Sequence, residues 1–298
     1  MELEYHFAKL SFVQEIEKQE YFESVPVPQP PVPACEPTPN DPPWNSWAAA
    51  GVWAFSVLLI LILPSLFVLP YLAQSGVQLS DKEGLRQFAM SDPTAVVLQL
   101  ASIIPAHLLT IALCWLVVTR MRKFSFFKTL GFRMGGYKWW HFLLILIGIF
   151  ACIAVISSVF PEQDNDLLRM LRSSRSAVYL VTILATFTAP FVEGGGYRGV
   201  VYSAFQRSMG TIAAVVIVTF MFAGVHYLQY WGSPGTIILI TILSLTLTLV
   251  RSTSKNLLPC IILHFIFNGL QSVIILQQSF APVPPLSEHA AMVARFFN

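Results

Sequence analysis

Charge is what this sequence has least of. Of its 298 residues only 11% are Asp, Glu, Lys or Arg, while 55% are hydrophobic; an ordinary soluble domain carries about 25% charged residues. The deficit is gathered into long uncharged runs, which excludes a soluble core and makes a lipid bilayer the expected solvent. Cysteine is equally scarce. Cys35, Cys114, Cys152 and Cys260 form no CxxC pair, and three of them lie inside apolar runs. That excludes a disulfide framework and a cysteine-based metal site; a thiol in such a run packs as a small hydrophobe. There is no HExxH and no pair of histidines four apart, so no helical zinc motif is present. A net charge of +2 supplies no basic field for nucleic acid. The apolar runs also lack period-2 alternation, so their spans are helices and not barrel strands.

What is there is a series of apolar runs. They cover roughly residues 47–72, 94–119, 141–160, a stretch from Ser176 onward, 211–230, 236–250 and 257–277. A helix needs about 20 residues to cross the hydrocarbon core. The sequence therefore predicts an all-α fold, a polytopic transmembrane helix bundle with about seven or eight spans. The sixth run is short and is expected to tilt little or to thin the bilayer. Residues 1–46 form a tail with eight acidic residues, two lysines and nine prolines between Pro26 and Pro43. Such a segment reads as an extended, disordered linker, with a pattern over residues 5–22 compatible with a short amphipathic helix. The membrane domain is expected over residues 47–280, its motif-bearing core over 176–278, and a short tail over 281–298.

Orientation follows from the basic residues. Arg120, Arg122, Lys123, Lys128, Arg133 and Lys138 share one connection, which the positive-inside rule puts in the cytoplasm. Counting spans from there places the amino-terminal tail, Arg207 and the turn from Arg251 to Lys255 on the same side. Trp139 and Trp140 fall at the inner interface.

Ionisable groups at membrane depth cost roughly 2.5–3.5 kcal/mol each on insertion scales and are functional candidates for that reason. Here they are few: Glu193 and Arg198 in the fourth run, His226 late in the fifth, and His264 in the seventh with Asn268 one turn on. His107, behind Pro105 in the second run, reads as structural. Phe222 and His226 are four apart and share a helix face, as do His264 and Asn268. One carboxylate, two imidazoles and an amide are thus available on three helices. A carboxylate beside a histidine deprotonates water, and a second histidine with an amide holds an oxyanion. The same residues allow other uses. Glu193 and Arg198 fit a structural ion pair, the polar pairs fit helix–helix glue, and Glu193, His226 and His264 fit a three-ligand zinc site. A transporter is disfavoured by the lack of an internal repeat.

The segment Glu193–Gly199, read E-G-G-G-Y-R-G, resembles the EExxxRG motif of the CAAX prenyl protease and bacteriocin-processing (CPBP) family. Phe222–His226 is similar to its FxxxH motif and His264–Asn268 to its HxxxN motif. The three stand in the family's order, each in its own apolar run, and the resemblance covers roughly residues 90–280. It implies an intramembrane endopeptidase. Glu193 would activate water with His226, His264 and Asn268 would form the oxyanion site, and Arg198 would be the motif arginine. The implied partners are membrane lipid and a hydrophobic or lipidated polypeptide substrate. The resemblance implies no cofactor, with zinc left open because members have been described as metalloproteases. The family's breadth points to a prokaryotic plasma membrane.

One position departs from the motif. Gly194 stands where the family has its second glutamate, and Gly195 and Gly196 follow. A glutamate there would pair with Arg198 one turn on; without it Arg198 is expected to lack a partner. Three glycines weaken a helix by roughly 1 kcal/mol each, and Pro190 removes a further hydrogen bond, so a loose or kinked stretch is expected beside Glu193. The triple glycine reads either as a close-approach feature or as a substitution that weakens catalysis. A catalytically inactive member acting as a membrane scaffold or immunity-type protein is the alternative to a working protease.

Overall fold

The computed structural model describes residues 2–24, 36–160, 165–227 and 229–280. The chain divides into two units, Met1–Glu36 and Pro37–Asn298. The first holds helix α1 (Glu2–Ser24). Its Leu3, Tyr5, Phe7, Leu10, Phe12, Val13 and Ile16 are exposed, and at about 100° per residue they spread round most of the axis. A helix forms where the sequence suggested one, but without a single apolar face. Residues 25–35, and the tail read over 281–298, lie outside the described residues.

The second unit contains α2 (Ser46–Ser75), α3 (Lys82–Ser91), α4 (Pro93–Thr119), α5 (Phe126–Leu130), α6 (Trp139–Val159) and α7 (Asp166–Ser173). A continuous rod follows, Arg175–Met209, in which α8 (Arg175–Ile183), α9 (Ala189–Glu193) and α10 (Tyr202–Met209) are separated by two π-helical segments. It continues with α11 (Thr211–Tyr227), α12 (Pro234–Ser254) and α13 (Leu258–Phe280). Among the described residues six helices are long and apolar enough to cross a membrane: α2, α4, α6, the rod, α12 and α13. The fold is the expected polytopic helical bundle. Capping is local: the Asn45 side chain accepts from Ala48 N at 2.9 Å, and Asp92 accepts from Thr94 and Ala95, both at 2.9 Å, ahead of Pro93 at the first helical position.

Two span lengths differ from expectation. The fifth run ends as helix α11 at 17 residues, about 25 Å at 1.5 Å per residue. Tyr230 N bonds to His226 O and Ser233 N to Tyr230 O, and Gly232 at φ +83° turns the chain into Pro234. The sixth run, expected to be short, is the 21-residue α12. It extends past Val250 because the charge that ends the hydropathic run, Arg251, is wholly buried inside the helix. Its guanidinium donates to Pro39 O at 2.6 Å, Asn40 Oδ1 at 3.2 Å and Ser203 Oγ at 3.0 Å, and it lies 5.1 Å from the Tyr202 ring centre.

Those contacts show where the membrane unit begins. The segment from Pro37 to Asn45, ahead of the Trp47 boundary read from the sequence, is a strap across one end of the bundle. Prolines bring carbonyl acceptors without N–H donors, and two arginines use them. Arg207 donates to Pro42 O and to Trp44 O at 2.9 Å, while Arg251 takes Pro39. Trp44 is buried and its Nε1 donates to Val200 O at 3.0 Å. The loop over 120–138 joins the same end: Leu257 N bonds to Gly131 O at 2.9 Å and Tyr137 to Thr253 at 2.7 Å. Gly131 is required there. Its φ is +76°, and a Cβ would stand 2.7 Å from Pro39 Cγ and 2.6 Å from Asn256 Oδ1. Trp44→Phe keeps an aromatic ring and removes the donor to the Val200 carbonyl. It is expected to cost about 0.5–1.5 kcal/mol, read as a lower melting temperature in detergent; an unchanged melt would show that the bond adds nothing.

Candidate active site

The rod that carries the first motif is not a plain α-helix. Pro190 has no N–H, and its ring clashes with the carbonyl four residues back. The chain answers with a π turn, Leu184–Thr188, closed by Ala189 N on Leu184 O. After Glu193 the glycine run opens a second π segment, Gly194–Val201, closed by Tyr202 N on Tyr197 O. The expected loose stretch is thus two ordered π segments with Glu193 at the end of the short α9 between them. Such bulges are frequent at functional sites.

Glu193, His226, His264 and Asn268 all line one cavity of about 1090 Å³, whose walls are largely apolar. Glu193 Oε2 lies 3.7 Å from His264 Nε2, just beyond hydrogen-bond range. His264 is buried, and its Nδ1 has no partner among the described residues. His226 Nδ1 is 2.8 Å from Phe222 O. A carbonyl only accepts, so Nδ1 carries the proton and neutral His226 keeps its lone pair on Nε2. Asn268 Nδ2 donates to Ala185 O at 2.8 Å, so one of its two amide hydrogens is committed to the first π turn.

Phe222 is the platform of this cluster. Its ring centre is 4.6 Å from that of His226, 5.1 Å from Tyr197 and 6.5 Å from His264, and the Arg198 guanidinium carbon sits 4.4 Å from it. Arg198 is wholly buried. Its Nη2 donates to Ser244 Oγ at 2.9 Å, but among the described residues Nε and Nη1 have no hydrogen-bond partner. The carboxylate that Gly194 lacks is replaced only in part, by one serine and an aromatic face. Ser244 was hidden in an apolar run with several other hydroxyl residues and carried no signal of its own.

Sequence reasoning also missed Tyr230, and it read His107 as structural. Both line the cavity. Tyr230 lies in the loop after α11, where burial, reinforced by the Glu193 charge, pushes its phenol up to about 12, so it stays an O–H donor at neutral pH. His107 Nδ1 is 2.8 Å from Thr188 Oγ1. Among the described residues no three His, Cys, Asp or Glu side chains form a metal-ligand group.

The chamber therefore sets a carboxylate and two imidazoles among helices most of which are long and apolar enough to cross a membrane. Residues 175–270 match the family model described as type II CAAX prenyl endopeptidase Rce1-like. This segment runs from the start of α8 past Asn268, holds all three motifs, and is narrower than the 90–280 over which the resemblance was read. Comparison with curated proteins and with solved structures gave no match. At the level of the family, the match supports a membrane hydrolase of the CAAX-protease type with a polypeptide substrate.

Proposed function

We propose that the protein is an intramembrane endopeptidase that hydrolyses a peptide bond of a hydrophobic or prenylated polypeptide. The observation that carries this reading is the Glu193–His264 approach of 3.7 Å at the wall of an apolar chamber of about 1090 Å³. Glu193, with the free Nε2 of His226, takes a proton from water, and the hydroxide attacks the scissile carbonyl carbon. His264, with the second amide hydrogen of Asn268, stabilises the oxyanion. Collapse breaks the C–N bond, and the proton held by Glu193 passes to the departing amine. The low dielectric strengthens each of these contacts. The apolar walls suit an acyl or isoprenoid chain as well as a peptide. The shared end of the strap, the loop over 120–138 and the Arg251–Lys255 turn supports a cytoplasmic amino terminus by the positive-inside rule, with a prokaryotic plasma membrane as the proposed location.

The test is a peptide library with and without farnesylated cysteine, incubated with purified protein in detergent and read by mass spectrometry, in the presence and absence of zinc chelator. Products that persist in chelator are expected; loss in chelator and recovery with zinc would assign Glu193, His226 and His264 to a metal instead. The half-satisfied Arg198 favours one second reading, an inactive scaffold or immunity-type protein. Absence of products under every condition, with partner capture that survives mutation of Glu193, would select it.

A further inference from the structure

The π turn Leu184–Thr188 supplies none of the reacting groups itself, yet polar side chains from α4 and α13 converge on it inside the membrane. Ala185 O explains part of this. Its α-helical donor, Ala189 N, is taken by Leu184 O, and its π-helical donor is Pro190, which has no N–H. The carbonyl is therefore orphaned by the chain itself, a costly state in lipid, and Asn268 Nδ2 fills it at 2.8 Å. From α4, His107 Nδ1 meets Thr188 Oγ1 at 2.8 Å, and that hydroxyl donates to Leu184 O at 2.9 Å; with the hydroxyl's one proton committed, His107 Nδ1 carries a proton and donates to Oγ1. From α13, Ser272 Oγ meets Thr186 Oγ1 at 2.8 Å.

The turn matters for Glu193 because of rotation. Each α-helical residue advances about 100°, and a π turn holds one extra residue. Collapse of Leu184–Thr188 into α-helix would carry the five-residue α9, and Glu193 at its end, about 100° round the axis. The 3.7 Å approach to His264 would then be lost. We propose that this latched π turn sets the rotation of α9 and so aims Glu193 at His264. His107, Thr188 and Ser272 are then positioning residues, and Asn268 holds the turn while its helix neighbour His264 meets the carboxylate. The assignment of a task to this aim rests on the endopeptidase reading; the latch itself does not.

The experiment separates the two. Glu193→Cys and His264→Cys are combined, bridged with a short bis-methanethiosulfonate, and the linked peptide pair is quantified by mass spectrometry. Adding Thr188→Val or His107→Phe is expected to lower the yield several-fold, and Ser272→Ala to lower it less. Thr188→Ser and His107→Asn, which keep a hydroxyl and a nitrogen in place, are expected to restore it. In the uncrosslinked enzyme Thr188→Val and His107→Phe lower kcat by roughly 10–100-fold at unchanged KM, with the same rescue. An unchanged cross-linking yield in Thr188→Val, His107→Phe and Ser272→Ala would overturn the latch. A yield that falls as expected in a protein that cleaves nothing would keep the latch and remove the endopeptidase.

Discussion

Glu193→Gln is expected to abolish cleavage, lowering kcat by about 10²–10⁴-fold, the usual contribution of a positioned general base, with KM little changed. The exchange keeps the side chain's length and removes only its ability to take a proton. The fold should tolerate it, because the Glu193 side chain makes no capping bond and its approach to His264 Nε2, 3.7 Å, is too long for a hydrogen bond to be lost. The geometry also ranks the histidines. His226, with its Nδ1 proton fixed on Phe222 O, has a defined tautomer, so His226→Gln should behave like the Glu193 variant. A structural ion pair between Glu193 and Arg198 predicts something else: a lower melting temperature in Glu193→Gln, with any cleavage retained. Rates and melting curves of the same purified variant therefore decide between the two, and undiminished cleavage would remove Glu193 from the mechanism.

Much of this architecture could be read from hydropathy, because a bilayer penalises every unpaired polar group and leaves long uncharged runs as its trace. The i,i+4 pairs Phe222/His226 and His264/Asn268 were visible for an equally simple reason, the helical period. The convergence of three helices on one cavity was not in the spacing and came only through the family resemblance. Other features were hidden because hydropathy treats charge and proline as punctuation. Arg251 reads as the end of a span, yet it lies inside α12, held in part by Pro39 and Asn40 of a strap that reads as disordered tail. Pro190 and the glycines read as weakness, yet the chain resolves them into ordered π segments. His107 matched no motif, and only the orphaned geometry of the turn it supports gives it a place.

Gly194→Glu is expected to raise both thermal stability and cleavage. Arg198 is wholly buried, with Nε and Nη1 unpaired among the described residues, and an uncompensated buried charge costs up to about 3–5 kcal/mol, of which the Ser244 bond and the Phe222 face already recover part. Replacing a helical glycine adds about 1 kcal/mol. Against this, the new Cβ meets Ile261 Cγ1 at 3.0 Å, and overpacking of that kind costs about 1–3 kcal/mol. The balance favours the variant by about 1–2 kcal/mol, or roughly 2–8 °C in melting temperature. Gly194→Ala is the necessary control. It makes the same approach to Ile261 and offers no carboxylate, so it should melt at or below the parent, and the gap between the two variants reads the Arg198 pair alone. Activity should rise with pairing, since Arg198 now has only Glu193 among nearby carboxylates, and a second carboxylate would leave Glu193 free to take the proton from water. A Gly194→Glu protein no more stable than Gly194→Ala would refute the pairing. A stabilised variant that still cleaves nothing would mean that Gly194 is not what silences the site.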